Sequence, residues 1–124
     1  MFQFPKKQKL CSDKSIENLF AKGIYISEQS FRLVWKFEKN NDQVAVKSLI
    51  IVPKKNIKLA KDRNIIKRRI KEAYRLQKND LEEALDNTNK QLNLAIIYQY
   101  DKLLNYNALE QKIILLLKRL INEI

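Results

Sequence analysis

Histidine is absent from the 124 residues, cysteine and glycine occur once each, and proline occurs twice. Without histidine there is no His–Ser or His–Cys nucleophile pair, no histidine general base and no histidine metal ligand. Cys11 is the one cysteine; it makes no internal disulfide, and with no histidine beside it a zinc module is excluded. We read it as a free thiol. A single glycine, Gly23, excludes a phosphate-cradling P-loop and a glycine-rich dinucleotide loop. Long apolar runs are missing too: the aliphatic run Ile113 to Leu117 is far too short to span a bilayer. Met1 to Lys9 has no apolar core of signal-peptide length and turns basic after Pro5. These absences predict a cytoplasmic protein that spans no membrane and that, if chemistry occurs, does not perform it alone.

What is present is charge. The chain carries 25 Lys and Arg against 14 Asp and Glu, a formal net charge of +11, with an apolar content of 45% that is ordinary for a globular domain. One domain over residues 1–124 is expected, large enough to bury a core without disulfides or metals. The excess charge is local. Lys54 to Lys78 (KKNIKLAKDRNIIKRRIKEAYRLQK) holds eleven of the 25 cations against two acids, Asp62 and Glu72, or +9 of the total +11. A concentrated basic segment of this kind answers to a polyanion, either nucleic acid or an anionic membrane.

Around that segment the chain reads as alternating helices and strands. Ser12 or Asp13 caps a short helix with apolar positions Ile16, Leu19 and Phe20, ending near Gly23. A short strand is possible at Ile24 to Ile26. Phe31 to Phe37 alternates, with Phe31, Leu33, Trp35 and Phe37 on one face and Arg32, Val34 and Lys36 on the other, the pattern of a strand with one buried side. A polar turn at Lys39–Asp42 and a second apolar run, Val44 to Val52, predict a hairpin, which Pro53 ends. After the basic segment, Asn79 and Asp80 break the pattern; Leu81 to Leu85 reads as a separate short acidic helix and Asp86 to Gln91 as a loop. Leu92 to Tyr100 is a third major strand. Asn105 or Asn107 caps a last helix with the stripe Leu109, Ile113, Leu116, Leu117, Leu120 and Ile124. The order is α+β, a mixed sheet with helices on one face.

On a helical projection with Arg63 at zero, Ile66, Ile70, Ala73 and Gln77 fall between about 280° and 340° with Tyr74 near 20°, forming a packing stripe. Asn64, Lys67, Arg68, Lys71 and Arg75 fall between about 40° and 140°, and Ile65 and Arg69 near 200° and 240°. Charged helix faces are usually solvated and mix signs at i,i+4. Here Lys67, Lys71 and Arg75 repeat one sign, which destabilises a helix by a few tenths of a kcal/mol per pair unless an anion intervenes. Recognition of duplex DNA by a reading helix belongs to all-helical surroundings, and this helix is surrounded by strands; RNA held by shape and backbone fits better.

The run Val52-Pro53-Lys54-Lys55, followed by Asp62-Arg63-Asn64-Ile65-Ile66-Lys67-Arg68-Arg69-Ile70-Lys71-Glu72-Ala73-Tyr74-Arg75, resembles the signature of the protein subunit of bacterial ribonuclease P. The upstream Ile16-Glu17-Asn18-Leu19-Phe20, Lys22-Gly23 and the Phe31 strand follow in that family's order, so the resemblance covers roughly Lys9 to Leu120. It implies an α-β sandwich like the second domain of a ribosomal small-subunit protein, of order αβββαβα with a mixed sheet and a left-handed crossover at the basic helix. It also implies an endoribonuclease holoenzyme in which a catalytic RNA, with Mg2+ held mainly by that RNA, removes the 5′ leader of precursor tRNA. No further protein partner and no catalytic side chain are implied. By the same resemblance Arg63, Asn64, Lys67 and Arg68 match signature positions and Lys71 is a conservative stand-in. Arg75 continues the basic face, Lys54 and Lys55 match a basic pair beside a leader cleft, and Phe20 matches a cleft aromatic. Three positions depart from the pattern: Ile65 replaces the third signature Arg, moving that contact to Arg69 or removing it, and Ile16 and Val34 replace aromatics. A ribosomal-type structured-RNA-binding protein without catalytic partner is the alternative that charge and length alone leave open.

Overall fold

The computed structural model describes residues 6–124; residues 1–5, on which part of the signal-peptide argument rests, lie outside the described residues. A 3-10 turn at Lys6–Gln8 leads into α1 (Asp13–Lys22) and β1 (Ile24–Ser27), then β2 (Phe31–Phe37) and β3 (Val46–Ile51). The chain continues through α2 (Ala60–Asn87), β4 (Leu92–Tyr98) and α3 (Tyr106–Glu123). This is the expected αβββαβα order of an α+β sandwich.

The four strands lie in the order β1-β2-β4-β3. β1 pairs with β2 and β2 with β4 antiparallel, whereas β3 and β4 run parallel, joined through α2. The hairpin expected between the Phe31 and Val44 strands does not form. The last strand inserts between them, taking Leu92 N–H to Ala45 O at 2.9 Å on one side and Glu38 N–H to Gln91 O at 3.0 Å on the other. The reason is burial: six of the seven β4 residues are buried, and a strand apolar on both faces belongs at the centre of a sheet. The hairpin that does form is the tighter β1–β2 pair.

One face of the sheet carries the rows Ile50–Ile96–Leu33–Ile26 and Ser48–Leu94–Trp35–Ile24. α2 and α3 pack on it through Ile66, Ile70, Ala73, Tyr74, Leu81 and Leu85, and through Leu109, Ile113, Leu116, Leu117 and Leu120. Both helical stripes fall where the 3.6-residue period placed them, and Asn105 caps α3 by accepting from Ala108 N–H at 2.9 Å. α2 differs from expectation in length. It runs without a break for 28 residues, through Asn79 and Asp80, because Leu81 and Leu85 continue the buried stripe and no glycine or proline interrupts it.

The opposite face carries the rows Lys47–Asn93–Lys36, Leu49–Ala95–Val34–Tyr25 and Ile51–Ile97–Arg32–Ser27. The expectation of helices on one face, and of a β2 strand with one buried side, is therefore corrected. α1 covers this second face, and Leu10, Leu19, Val34 and Ala95 form a second, smaller core there with Ile16, Phe20, Leu49 and Ile97 against it. Ser12 caps α1, its hydroxyl accepting from Ser15 N–H at 3.3 Å. Gly23 ends α1 at a close approach: a Cβ there would lie 2.7 Å from Val34 Cγ1 and 2.4 Å from Leu19 O. Polar pins hold the start of α1. Glu38 accepts from Ser15 Oγ at 2.9 Å, Asn18 Nδ2 at 3.3 Å and Asn93 Nδ2 at 3.0 Å. Desolvation would raise the Glu38 pKa, but these donated bonds and Lys36 outweigh it and hold the carboxyl below its ordinary value.

Candidate nucleic-acid interface

The first half of α2 carries the basic wall. Its packing stripe is anchored by Ile66, Ile70 and Ala73, all fully buried, and by Tyr74, whose hydroxyl accepts from Ser48 Oγ of β3 at 2.9 Å. Desolvation raises the Tyr74 pKa well above the ordinary tyrosine range. This buried bond fixes the rotation of α2 on the sheet, and with it the direction of the neighbouring wall. Asn64 and Arg68 are exposed there, while Lys67 and Lys71 are half-buried and line a cavity of about 250 Å³ against β3.

The remaining arginines of the segment are engaged within the protein. Arg63 Nη1 donates to Ile57 O at 2.9 Å and Lys58 O at 2.7 Å, bracing the turn that precedes the helix. Asn56 Nδ2 ties the other side of that turn to Tyr98 O at 3.2 Å, and Asn56 and Ile57 N–H both reach Pro53 O. The braced turn presents Lys54, Lys55 and Lys58, all exposed, at the end of β3. Arg69 Nη1 donates to Leu104 O at 2.6 Å, in the connection before α3. On the helical projection it lies away from the basic wall, with this carbonyl as its partner. Arg75 forms a two-pronged pair with Glu72, at 3.1 and 2.5 Å, which raises the Arg75 pKa and lowers that of Glu72. The structure brings Lys67, Lys71, Asn64 and Arg68 together and gives Arg63 and Arg75 partners of their own.

Phe20 lies at the border of the second core, half-buried among Ile16, Leu49 and Ile97. Beyond it the sheet face is open. Tyr25 is 45% exposed beside Phe20, its hydroxyl donating to Phe20 O at 2.8 Å, and the Arg32 guanidinium sits 5.3 Å from the Tyr25 ring centroid. Arg32 belongs to no sequence motif, and Tyr25 and Trp35 are the two nearby aromatics that could replace those missing at Ile16 and Val34. The signal is register: Tyr25 pairs with Val34 and so faces the α1 side of the sheet, whereas Trp35 points into the main core. Val34 itself is fully buried beneath α1. Among the described residues no helix is long and apolar enough to cross a membrane, and no group of three or more acidic or cysteine side chains is placed to hold a metal.

Comparison with known proteins agrees with this geometry. The model of the Ribonuclease P family matches residues 4–121. A ribonuclease P protein component from Porphyromonas gingivalis is 26% identical over 110 residues, covering 89% of this chain and 80% of that one. The RNase P protein of Thermotoga maritima superposes with a TM-score of 0.71 at 20% identity, over 90% of this chain and 96% of that one. The Staphylococcus aureus RNase P protein does so with 0.64 at 17% identity, over 93% of each. With a signature helix mounted on a β1-β2-β4-β3 sheet and a family match across nearly its whole length, the chain belongs to the Ribonuclease P family.

Proposed function

We propose that this chain is the protein component of a ribonuclease P ribonucleoprotein, binding the catalytic RNA through α2 and the 5′ leader of precursor tRNA on the open sheet face. The observation that carries the reading is the Lys67–Lys71 pair, in no ion pair among the described residues, with Asn64 and Arg68 on one wall of α2 in the fold of this family. Like charges held together at i,i+4 are stabilised by a phosphate between them.

In this reading the side chains perform no bond cleavage. Lys67, Lys71 and Arg68 neutralise phosphates of the catalytic RNA, and Asn64 donates to its backbone. Magnesium ions are held by the RNA, which carries the endonucleolytic step. Lys54 and Lys55, on their braced turn, face the leader's phosphates. Phe20 and Tyr25, the latter backed by Arg32, offer aromatic surface to a leader base, each such stack being worth about 1–3 kcal/mol. The holoenzyme works in the cytoplasm.

The test is reconstitution. Purified protein mixed with its catalytic RNA restores precursor-tRNA cleavage at low magnesium. Absence of rescue by folded protein overturns the reading. Sequencing RNA that co-purifies with the protein checks it independently: one transcript of a few hundred nucleotides is expected, whereas ribosomal RNA would point to the structured-RNA-binding alternative.

A further inference from the structure

The basic wall of α2 is one side of a groove whose other side is the segment before α1. Lys9 bridges Ser48 in parallel along the free edge of β3, and Leu10 N–H donates to Ser48 O at 2.9 Å. Leu10 is buried in the second core, and Gln8 Oε1 accepts from Lys78 Nζ of α2 at 2.9 Å. These three ties, to strand, core and helix, hold the segment opposite the helix. Lys9 and Cys11 from the segment and Lys67 and Lys71 from α2 line the cavity between them, over a floor formed by β3. Among the described residues no acidic side chain lines it.

On the other side of the segment, toward α1, the surface is hollowed again. Lys9, Leu10 and Cys11 also border a second hollow of about 540 Å³ that holds Lys7, Lys39 and Lys47. Its two acids are committed, Glu38 to Ser15, Asn18 and Asn93, and Asp42 to Lys47 at 2.8 Å. Lys7, Lys9 and Lys39 therefore set the sign of this surface. Three ammonium groups facing one another across the first cavity repel unless an anion lies between them.

We infer that the segment before α1 is a second wall of the RNA site, with Lys7 and Lys9 gripping the same RNA backbone that Lys67 and Lys71 hold from α2. The inference rests on the ribonuclease P reading and adds residues outside the signature helix. A space of about 250 Å³ lies below the roughly 300 Å³ of ordinary small-ligand pockets, so it suits a phosphate with its ribose more than a compact metabolite. The occupant is a strand of the catalytic RNA running from the α2 wall toward the start of α1.

The experiment measures binding of the catalytic RNA against salt for wild type, K7Q/K9Q and K67Q/K71Q. The segment is held by backbone bonds and Leu10, so K7Q/K9Q keeps the wild-type melting temperature. Its slope of log K against log salt is expected to fall by roughly 1.5 to 2, with about tenfold weaker binding. An Fe–EDTA group on Cys11, the sole cysteine, is expected to cut the bound RNA within one short stretch. An unchanged slope in K7Q/K9Q, or full binding without local cuts, overturns the second wall while leaving the ribonuclease P reading intact. If wild type binds no RNA while folded, both fall.

Discussion

The two halves of α2 share one packing stripe and carry opposite charge. From Ala60 to Lys78 the helix holds eight cations and two acids; from Asn79 to Asn87 it holds four acids, Asp80, Glu82, Glu83 and Asp86, and no cation. Yet Ile66 and Ile70 in the first half and Leu81 and Leu85 in the second are equally buried, against the same sheet and α3. Apolar spacing decided where the helix runs, and charge decided what each half meets. The acidic half does not serve helix stability: carboxylates near a helix C-terminus oppose the macrodipole, and the last turn has no basic residue to offset them. Its four carboxylates would repel a polyanion, so RNA held by the first half is expected to stop at Asn79.

The largest test of the shared stripe is truncation in each half. Ile70→Ala and Leu85→Ala are each expected to lower stability by about 2–5 kcal/mol in denaturant titrations. If Leu85→Ala costs well under 1 kcal/mol, the acidic half is a separate, weakly docked piece. Next comes charge reversal: K67E/K71E is expected to weaken RNA binding by about a hundredfold or more at physiological salt with little change in melting temperature. A large loss of stability there would assign those lysines to the fold. Tyr74→Phe, which leaves the Ser48 hydroxyl unpaired and frees the rotation of α2, is expected to cost about 1 kcal/mol. It should also weaken RNA binding more than any loss of folded protein explains. The smallest effect belongs to the stop. D80K/E83K is expected to leave stability within about 0.5 kcal/mol while tightening binding to unrelated RNA severalfold and steepening its salt dependence.

The stripes and caps of the helices were legible in the sequence because they depend on neighbours three or four residues away. Ile66, Ile70, Ala73 and Tyr74 and the α3 stripe followed from period alone. The break expected at Asn79–Asp80 does not occur because the change there is one of charge, with no glycine or proline to end the helix. Strand order was not legible, since Val46–Ile51 and Leu92–Tyr98 are alike in apolarity and nothing local says which is central. The arginines were legible as charge and not as contacts. Arg63 and Arg69 reach backbone carbonyls that no charge pattern reveals, whereas the Arg75–Glu72 pair joins i,i+3 neighbours that the sequence already sets side by side. Lys7 and Lys9 lie outside the basic segment, and only the pairing of Lys9 at the edge of β3 brings that end of the chain near α2.

The central position of β4 also orders events during synthesis. Until Tyr98 has been made, β2 and β3 have no partner between them, and only the β1–β2 hairpin can close. The whole of α2, cationic wall included, leaves the ribosome before β4 and α3, which complete the core it packs into. The nascent chain thus offers bare basic helix to any nearby RNA while its core is still unmade. The parallel β3–β4 pairing must wait for the long crossover to close, and its formation ends this exposure.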